Sequence, residues 1–168
     1  AALAVASARA QTPALLFDLD VVERNIAEMA EVARAAGVRL RPHTKSHKSP
    51  EIARMQLEAG ASGITVAKLG EAEVMVDAGI DDVLVAYPLV GERKLARLRA
   101  LMEHAQIRTT TDSVEVAEGL GAVGRGLGGD VEVLVEVDTG LHRVGRAPGA
   151  PTIELVQQVA RVPGVEVI

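Results

Sequence analysis

From Gly37 to Ile168 the sequence repeats one unit: a short run of β-branched residues, a polar break, then a stretch with helical spacing that closes on glycine. Strand runs are expected at Val38–Lys45, Ile64–Val66, Val83–Ala86, Ile107–Thr109, Val131–Val137 and Val165–Ile168. Helices are expected between them, at Pro50–Ala59, Lys68–Ala78, Glu92–Glu103, Ser113–Leu120 and Thr152–Ala160, with one more from Asp20 to Gly37. Short strands alternating with helices specify βαβ units, hence a parallel α/β sheet, because each helix returns the chain to the start of the next strand. An open doubly wound sheet and a (β/α) barrel both satisfy this pattern.

Punctuation supports these bounds. Asp20-Val-Val-Glu23 reads as a capping box, and Ser49-Pro50 reads as an N-cap followed by proline at the first helical position. Hydrophobic residues are 48% of the chain and aromatics only 1%, so the core must come from small and β-branched side chains, as helices on a buried parallel sheet require.

The same composition excludes several function classes. With no cysteine, disulfide scaffolds, cysteine-ligated zinc and thiol catalysis are all ruled out. A net charge of -5 argues against a general nucleic-acid binder. No apolar run reaches the roughly 18 residues of a membrane-spanning helix, and a cytoplasmic protein is expected. Residues 1–11 are alanine-rich without a basic segment and are expected to form a poorly ordered terminus.

The segment Arg39-Leu-Arg-Pro-His-Thr-Lys-Ser-His-Lys48 is the most unusual stretch, rich in cations and free of acids. Alternation on a strand would place Arg39, Arg41, His43 and Lys45 on one face, with Val38, Leu40 and Pro42 toward the helices. Val131–Asp138 has the same construction with opposite sign, projecting Glu132, Glu136 and Asp138. Glu136 or Asp138 is therefore expected to neutralise Arg39 or Arg41.

Sites in parallel α/β proteins lie at strand C-termini, which here carry Lys45, Tyr87-Pro88, Thr111-Asp112 and Asp138-Thr139-Gly-Leu-His-Arg143. A lysine among other cations in such a pocket can act as a nucleophilic amine, so Lys45 is a Schiff-base candidate. His43 and His47 lack a third ligand nearby, and no in-chain metal site is expected. Two GxGxxG letter matches, Gly119–Gly124 and Gly124–Gly129, follow a helix and precede a strand. That order is wrong for a dinucleotide fingerprint, and a flexible loop is expected there.

Thr12-Pro-Ala-Leu-Leu-Phe-Asp-Leu-Asp20, Arg24-Asn-Ile26, Arg41-Pro-His-Thr-Lys-Ser-His-Lys48 and Asp138-Thr-Gly-Leu-His-Arg-Val-Gly145 together resemble the N-terminal half of the D-threonine aldolase and D-serine dehydratase family, relatives of the alanine racemase type of barrel. The likeness extends from Thr12 onward. It implies a (β/α)8 barrel binding pyridoxal 5'-phosphate (PLP), here with about five to six barrel strands over 21–168. It also implies that residues 12–20 belong to a separate β-domain. It makes Lys45 the residue linked to PLP as a Schiff base and places Arg143 near the cofactor's phenolic oxygen. Asp138, Thr139 and Tyr87 are expected to contact the cofactor, and His43 and His47 are candidates for proton handling.

The implied substrates are D-3-hydroxy amino acids. An aldolase would cleave Cα–Cβ to glycine and an aldehyde; a dehydratase or a racemase of the same fold is the alternative. A homodimer is implied for the full-length protein, and so is a divalent metal, whose ligands fall outside the matching motifs. A complete barrel of about 250 residues does not fit in 168, so the sequence reads as part of a larger enzyme. Rival readings are a PLP-binding homeostasis protein without turnover, a cofactor-free lysine aldolase and an inactive fragment.

Overall fold

The computed structural model describes residues 10–168. The poorly ordered stretch expected at 1–11 lies outside the described residues except for Ala10 and Gln11. Helix α1 spans Leu19–Ala35 and starts from Asp18, whose carboxylate accepts the Val21 N–H at 3.4 Å. The capping box expected at Asp20 is thereby corrected by two residues. Asp18 has the extended backbone a cap needs, while Asp20 falls in the first turn, where its charge faces the positive end of the helix. The preceding segment, Ala14–Asp18, is exposed and joins no ladder among the described residues.

Helix α2 (Pro50–Glu58) is capped by Ser49 with Pro50 in its first turn, as its sequence requires. Then follow β1 (Ile64–Val66), α3 (Leu69–Asp77), β2 (Asp82–Val85), α4 (Glu92–Met102), β3 (Gln106–Thr111), α5 (Val114–Leu127), β4 (Val131–Val135), α6 (Ala150–Val159) and β5 (Val165–Val167). The five strands pair in parallel in the order β1-β2-β3-β4-β5. A doubly wound sheet would reverse its order at a switch point, whereas sequential order keeps the helices on one side and curves the sheet toward a barrel.

The packing shows the same one-sidedness. Ile64, Val66, Val83, Val85, Ile107, Val131 and Val133 are buried against Leu69, Met75, Leu98, Leu101 and Leu120 of the helices. Each such side chain contributes about 1.5–3 kcal/mol of burial. The alternate residues, including Leu84, Arg108, Thr110, Glu132 and Leu134, occupy the opposite face.

Two expectations are corrected. Val38–Lys45 is not a strand. Leu40 and Pro42 carbonyls accept from Ser62 and Thr65 N–H groups, and His43 makes a single bridge to Thr65, but no ladder forms. Pro42 has no N–H with which to return a bond, and the chain then tightens into a 3-10 turn at Thr44–Ser46. Leu40 and Pro42 do face α1 and α2, across a cavity of about 330 Å³ shared with Ile26 and Met29.

The glycine-rich stretch expected as a loop is instead the second half of α5, closed by left-handed Gly128. A Cβ at Gly121 would overlap the Pro163 carbonyl oxygen, and one at Gly124 that of Gly164. The glycines are there because α5 lies against the backbone leading into β5.

Candidate functional site

The Lys45 turn is built on Thr44. Its side chain is buried, its hydroxyl donates to the Thr65 carbonyl at 3.2 Å, and its own carbonyl accepts from Lys48 N–H at 2.7 Å and His47 N–H at 3.2 Å. His43 Nδ1 accepts the Lys45 N–H at 3.3 Å, and His47 Nδ1 accepts the Ser49 N–H at 3.0 Å. Both imidazoles are thus unprotonated at Nδ1. Burial holds both below the ordinary histidine value, aided at His43 by the Lys45 charge.

Lys45 itself is exposed, and no carboxylate among the described residues pairs with it. Three residues on, Lys48 adopts a left-handed backbone, φ +52°, and its ammonium pairs with Glu71. Glu71 also accepts the Ala67 N–H at 2.8 Å, tying the turn to the end of β1. Burial pushes the Glu71 carboxyl up, but the bonds from Lys48 and Ala67 outweigh it and hold the group below its ordinary value.

The second motif is a loop folded around Asp138. One carboxylate oxygen accepts the Gly140 and His142 N–H groups, each at 2.9 Å, and the other lies 2.7 Å from His142 Nδ1. The His142 and Gly140 N–H groups chiefly lower the Asp138 pKa, to about 2. Val137 and Arg146 form a parallel bridge that closes the loop, and Asp112 accepts the Gly145 N–H at 3.3 Å. At Gly145 φ is +97°, and a Cβ would lie 2.6 Å from the Asp138 nitrogen, so the closure requires glycine. The Arg143 guanidinium lies 6.0 Å from the Tyr87 ring centroid, and Thr139 is exposed.

The structure therefore brings together Arg143 and Tyr87, and separately His43, Lys45 and His47. The Lys45 turn flanks β1, and Tyr87 extends β2, so β1 stands between the two groups. Asp138 spends its hydrogen bonds on its own loop. The expected pairing of Glu136 or Asp138 with Arg39 or Arg41 is corrected. Arg41 meets Asp82 at 2.8 Å, and Arg108 bridges Asp82 and Glu132. Arg41 lies toward the N-terminal ends of the strands, while Glu136 and Asp138 lie beyond the C-terminal end of β4, too far along the sheet to reach it.

Sequence reasoning passed over Thr44 and Glu71 as supports of the site, and placed Asp112 at a strand end without giving it the contact to Gly145. Glu71 carries a legible signal, since it stands at the N3 position of α3, where a carboxylate reaches back to an N-terminal N–H.

The model of the alanine racemase N-terminal domain matches residues 17–168. The chain belongs to this family. Among curated members it is 42% identical over 150 residues to a D-threo-3-hydroxyaspartate dehydratase of Delftia sp., covering 89% of this chain and 39% of that one. It is also 42% identical over 161 residues to a D-threonine aldolase of Arthrobacter sp., covering 94% and 42%.

Among solved family structures, the D-threonine aldolase from Filomicrobium marinum superposes with a TM-score of 0.89 at 43% identity, covering 94% of this chain and 42% of that one. An alanine racemase of Clostridium difficile 630, 17% identical with a TM-score of 0.71, shares the fold. The chain thus spans about 40% of the length of the relatives it matches.

The residues present fit the PLP implied by the family motifs. An exposed amine without a carboxylate partner among the described residues stands beside one strand, and an arginine stacked on a tyrosine stands beyond its neighbour. Lys45, Arg143 and Tyr87 are the residues there that could hold it. Among the described residues no group of three or more His, Asp or Glu side chains gathers as a metal site, and no helix is long and apolar enough to cross a membrane.

Proposed function

We propose that this chain is the cofactor-carrying part of a PLP-dependent lyase that cleaves D-3-hydroxy amino acids between Cα and Cβ, in the manner of a D-threonine aldolase. The observation that carries the reading is the Lys45 turn, which presents one carboxylate-free amine beside the strand ends faced by Arg143. PLP supplies the electron sink for the bond that breaks. Lys45 would hold the cofactor through its side-chain amine. Arg143, steadied by Tyr87, keeps a positive charge at the mouth of the sheet. His43 can exchange a proton only through Nε2, because Nδ1 accepts the Lys45 N–H. Nε2 of His47 is buried without a hydrogen-bond partner, which makes His43 the better placed of the two for proton handling.

Dehydration is the second reading, favoured by an identity to the hydroxyaspartate dehydratase equal to that with the aldolase. Incubating the full-length protein and PLP with D-threonine separates them: glycine with acetaldehyde supports cleavage, ammonia with a 2-oxo acid supports dehydration. Retention of cofactor binding and turnover by Lys45→Ala would sink the assignment. A homodimer, a cytoplasmic location and a β-domain including residues 12–20 complete the proposal.

A further inference from the structure

The 43–48 turn carries two exposed lysines three residues apart, and PLP has one aldehyde. Exposure does not choose between them, since the Lys48 side chain keeps 59% of its accessible surface. The contacts do. Lys48 is paired with Glu71, a carboxylate whose side chain is only 11% exposed and is itself fixed by the Ala67 N–H at 2.8 Å. Lys45 meets no acid among the described residues. Imine formation needs a neutral amine. The nitrogen lone pair attacks the aldehyde carbon, the new C–N bond becomes C=N, and the carbonyl oxygen leaves as water with both amine protons. An ammonium held by a carboxylate has no lone pair to offer and is tethered away from the neighbouring amine.

We propose that Glu71 selects the lysine: by sequestering Lys48 it leaves Lys45 as the amine of the turn that reacts with carbonyl compounds, PLP among them. This rests on the PLP reading above for its biological ligand, but the selectivity is a property of this chain alone. Glu71 is on that account a positioning residue, acting through Lys48 rather than on the cofactor.

Two measurements on the full-length protein test it. In the first, the wild type freed of PLP is treated with formaldehyde and cyanoborohydride at limiting dose, and methylation is mapped by peptide mass spectrometry. Lys45 is expected to react roughly tenfold faster than Lys48, the factor that one charge-assisted hydrogen bond carries. Equal rates overturn the proposal, whatever becomes of PLP.

In the second, protein loaded with PLP is reduced with borohydride, which adds hydride to the imine carbon and fixes the label as a secondary amine. Wild type is expected to be labelled on Lys45. Lys45→Ala is expected to show only background, and Lys45→Ala/Glu71→Gln to be labelled on Lys48 roughly tenfold above that background. Glutamine keeps an acceptor for the Ala67 N–H, so the loop anchor survives while the charge is lost. Labelling of the double variant no greater than that of Lys45→Ala overturns the selection. A wild type labelled at neither lysine overturns the PLP reading, and the formaldehyde result then decides the selection by itself.

Discussion

At the N-terminal ends of the strands, Arg41 and Arg108 share Asp82, and Arg108 reaches Glu132 at 2.5 Å, with all four side chains mostly covered. At the C-terminal ends, Lys45 is exposed without a carboxylate partner among the described residues, and Arg143 lies over an aromatic ring rather than an acid. The two ends use the same residue types on the same sheet to opposite effect. Where the charges cancel, the network fixes how neighbouring strands sit. Where they do not, at Lys45, the amine meets no carboxylate among the described residues. The contrast is not one of position alone, since Lys48 at the C-terminal end is paired with Glu71; it is Lys45 that stands without an acid, at the end where barrels carry their chemistry.

The comparison is broken most directly at Asp82. Asp82→Ala leaves two arginines facing each other with Glu132 as their remaining acid. Removing one partner of a fully buried pair costs about 3–5 kcal/mol, and these groups retain some solvent. A loss of roughly 2 kcal/mol in urea unfolding is expected. A loss under about 0.5 kcal/mol, the range of a neutral surface change, would show that the network holds nothing together.

A smaller but still large effect is expected at the glycines. Gly124→Ala gains roughly 1 kcal/mol of helix propensity, but its Cβ would overlap the Gly164 carbonyl. Overpacking of this kind costs about 1–3 kcal/mol, so net destabilisation is expected. Gly126→Ala, two helical positions on from that backbone contact and facing only the flexible end of Arg99, is the control and is expected to be neutral or stabilising. Thermal unfolding of the pair checks the sign.

These positions show what was legible in the sequence. Strand and helix order could be read because valine runs and serine, proline and glycine punctuation are local signals, and the observed β1 matches its expected bounds residue for residue. Lys45 and Arg143 stood out as candidates because each sits in a dense motif, Lys45 in a turn beside β1 and Arg143 in the loop after β4. The errors were non-local. Gly121 and Gly124 resemble a loop until the backbone of residues 163–164 is laid against them. Arg41 was assigned a distant acid because Asp82, a single residue at the start of a strand, gives no pattern of its own. Val38–Lys45 alternates like a strand, yet Pro42 cannot donate the bond that would make it one.

The next prediction concerns pH and distinguishes the two loops of the C-terminal end. Asp138 is held at about 2 against an ordinary 3.8. Its folded value is depressed, so its contribution is present above about pH 4 and disappears as pH falls toward 2. His43 and His47 also titrate below their ordinary 6.5 when folded. For these bases the unfolded chain takes up protons first, so stability falls as pH drops below about 6.5. Unfolding midpoints followed from pH 7 to 2 should show both windows. Asp138→Asn is expected to reduce only the lower one, to which Glu51, Glu71 and Glu73 also contribute, and an unchanged lower window in that variant would contradict the loop assignment.

The smallest stability effect is expected where the chemical effect is largest. Lys45→Ala removes an exposed side chain whose only hydrogen bond on the turn is made by its backbone N–H to His43, and alanine keeps that N–H. Its unfolding free energy should change by less than about 0.5 kcal/mol. Set beside Asp82→Ala, this is the sharpest form of the contrast between the two ends of the sheet. If Lys45→Ala instead destabilised the chain as much as Asp82→Ala, the lysine would be part of the packing, and an amine held by packing is not free to exchange between cofactor and substrate. A nearly neutral stability change combined with loss of the cofactor label leaves reaction with a ligand as the remaining role for that exposed amine.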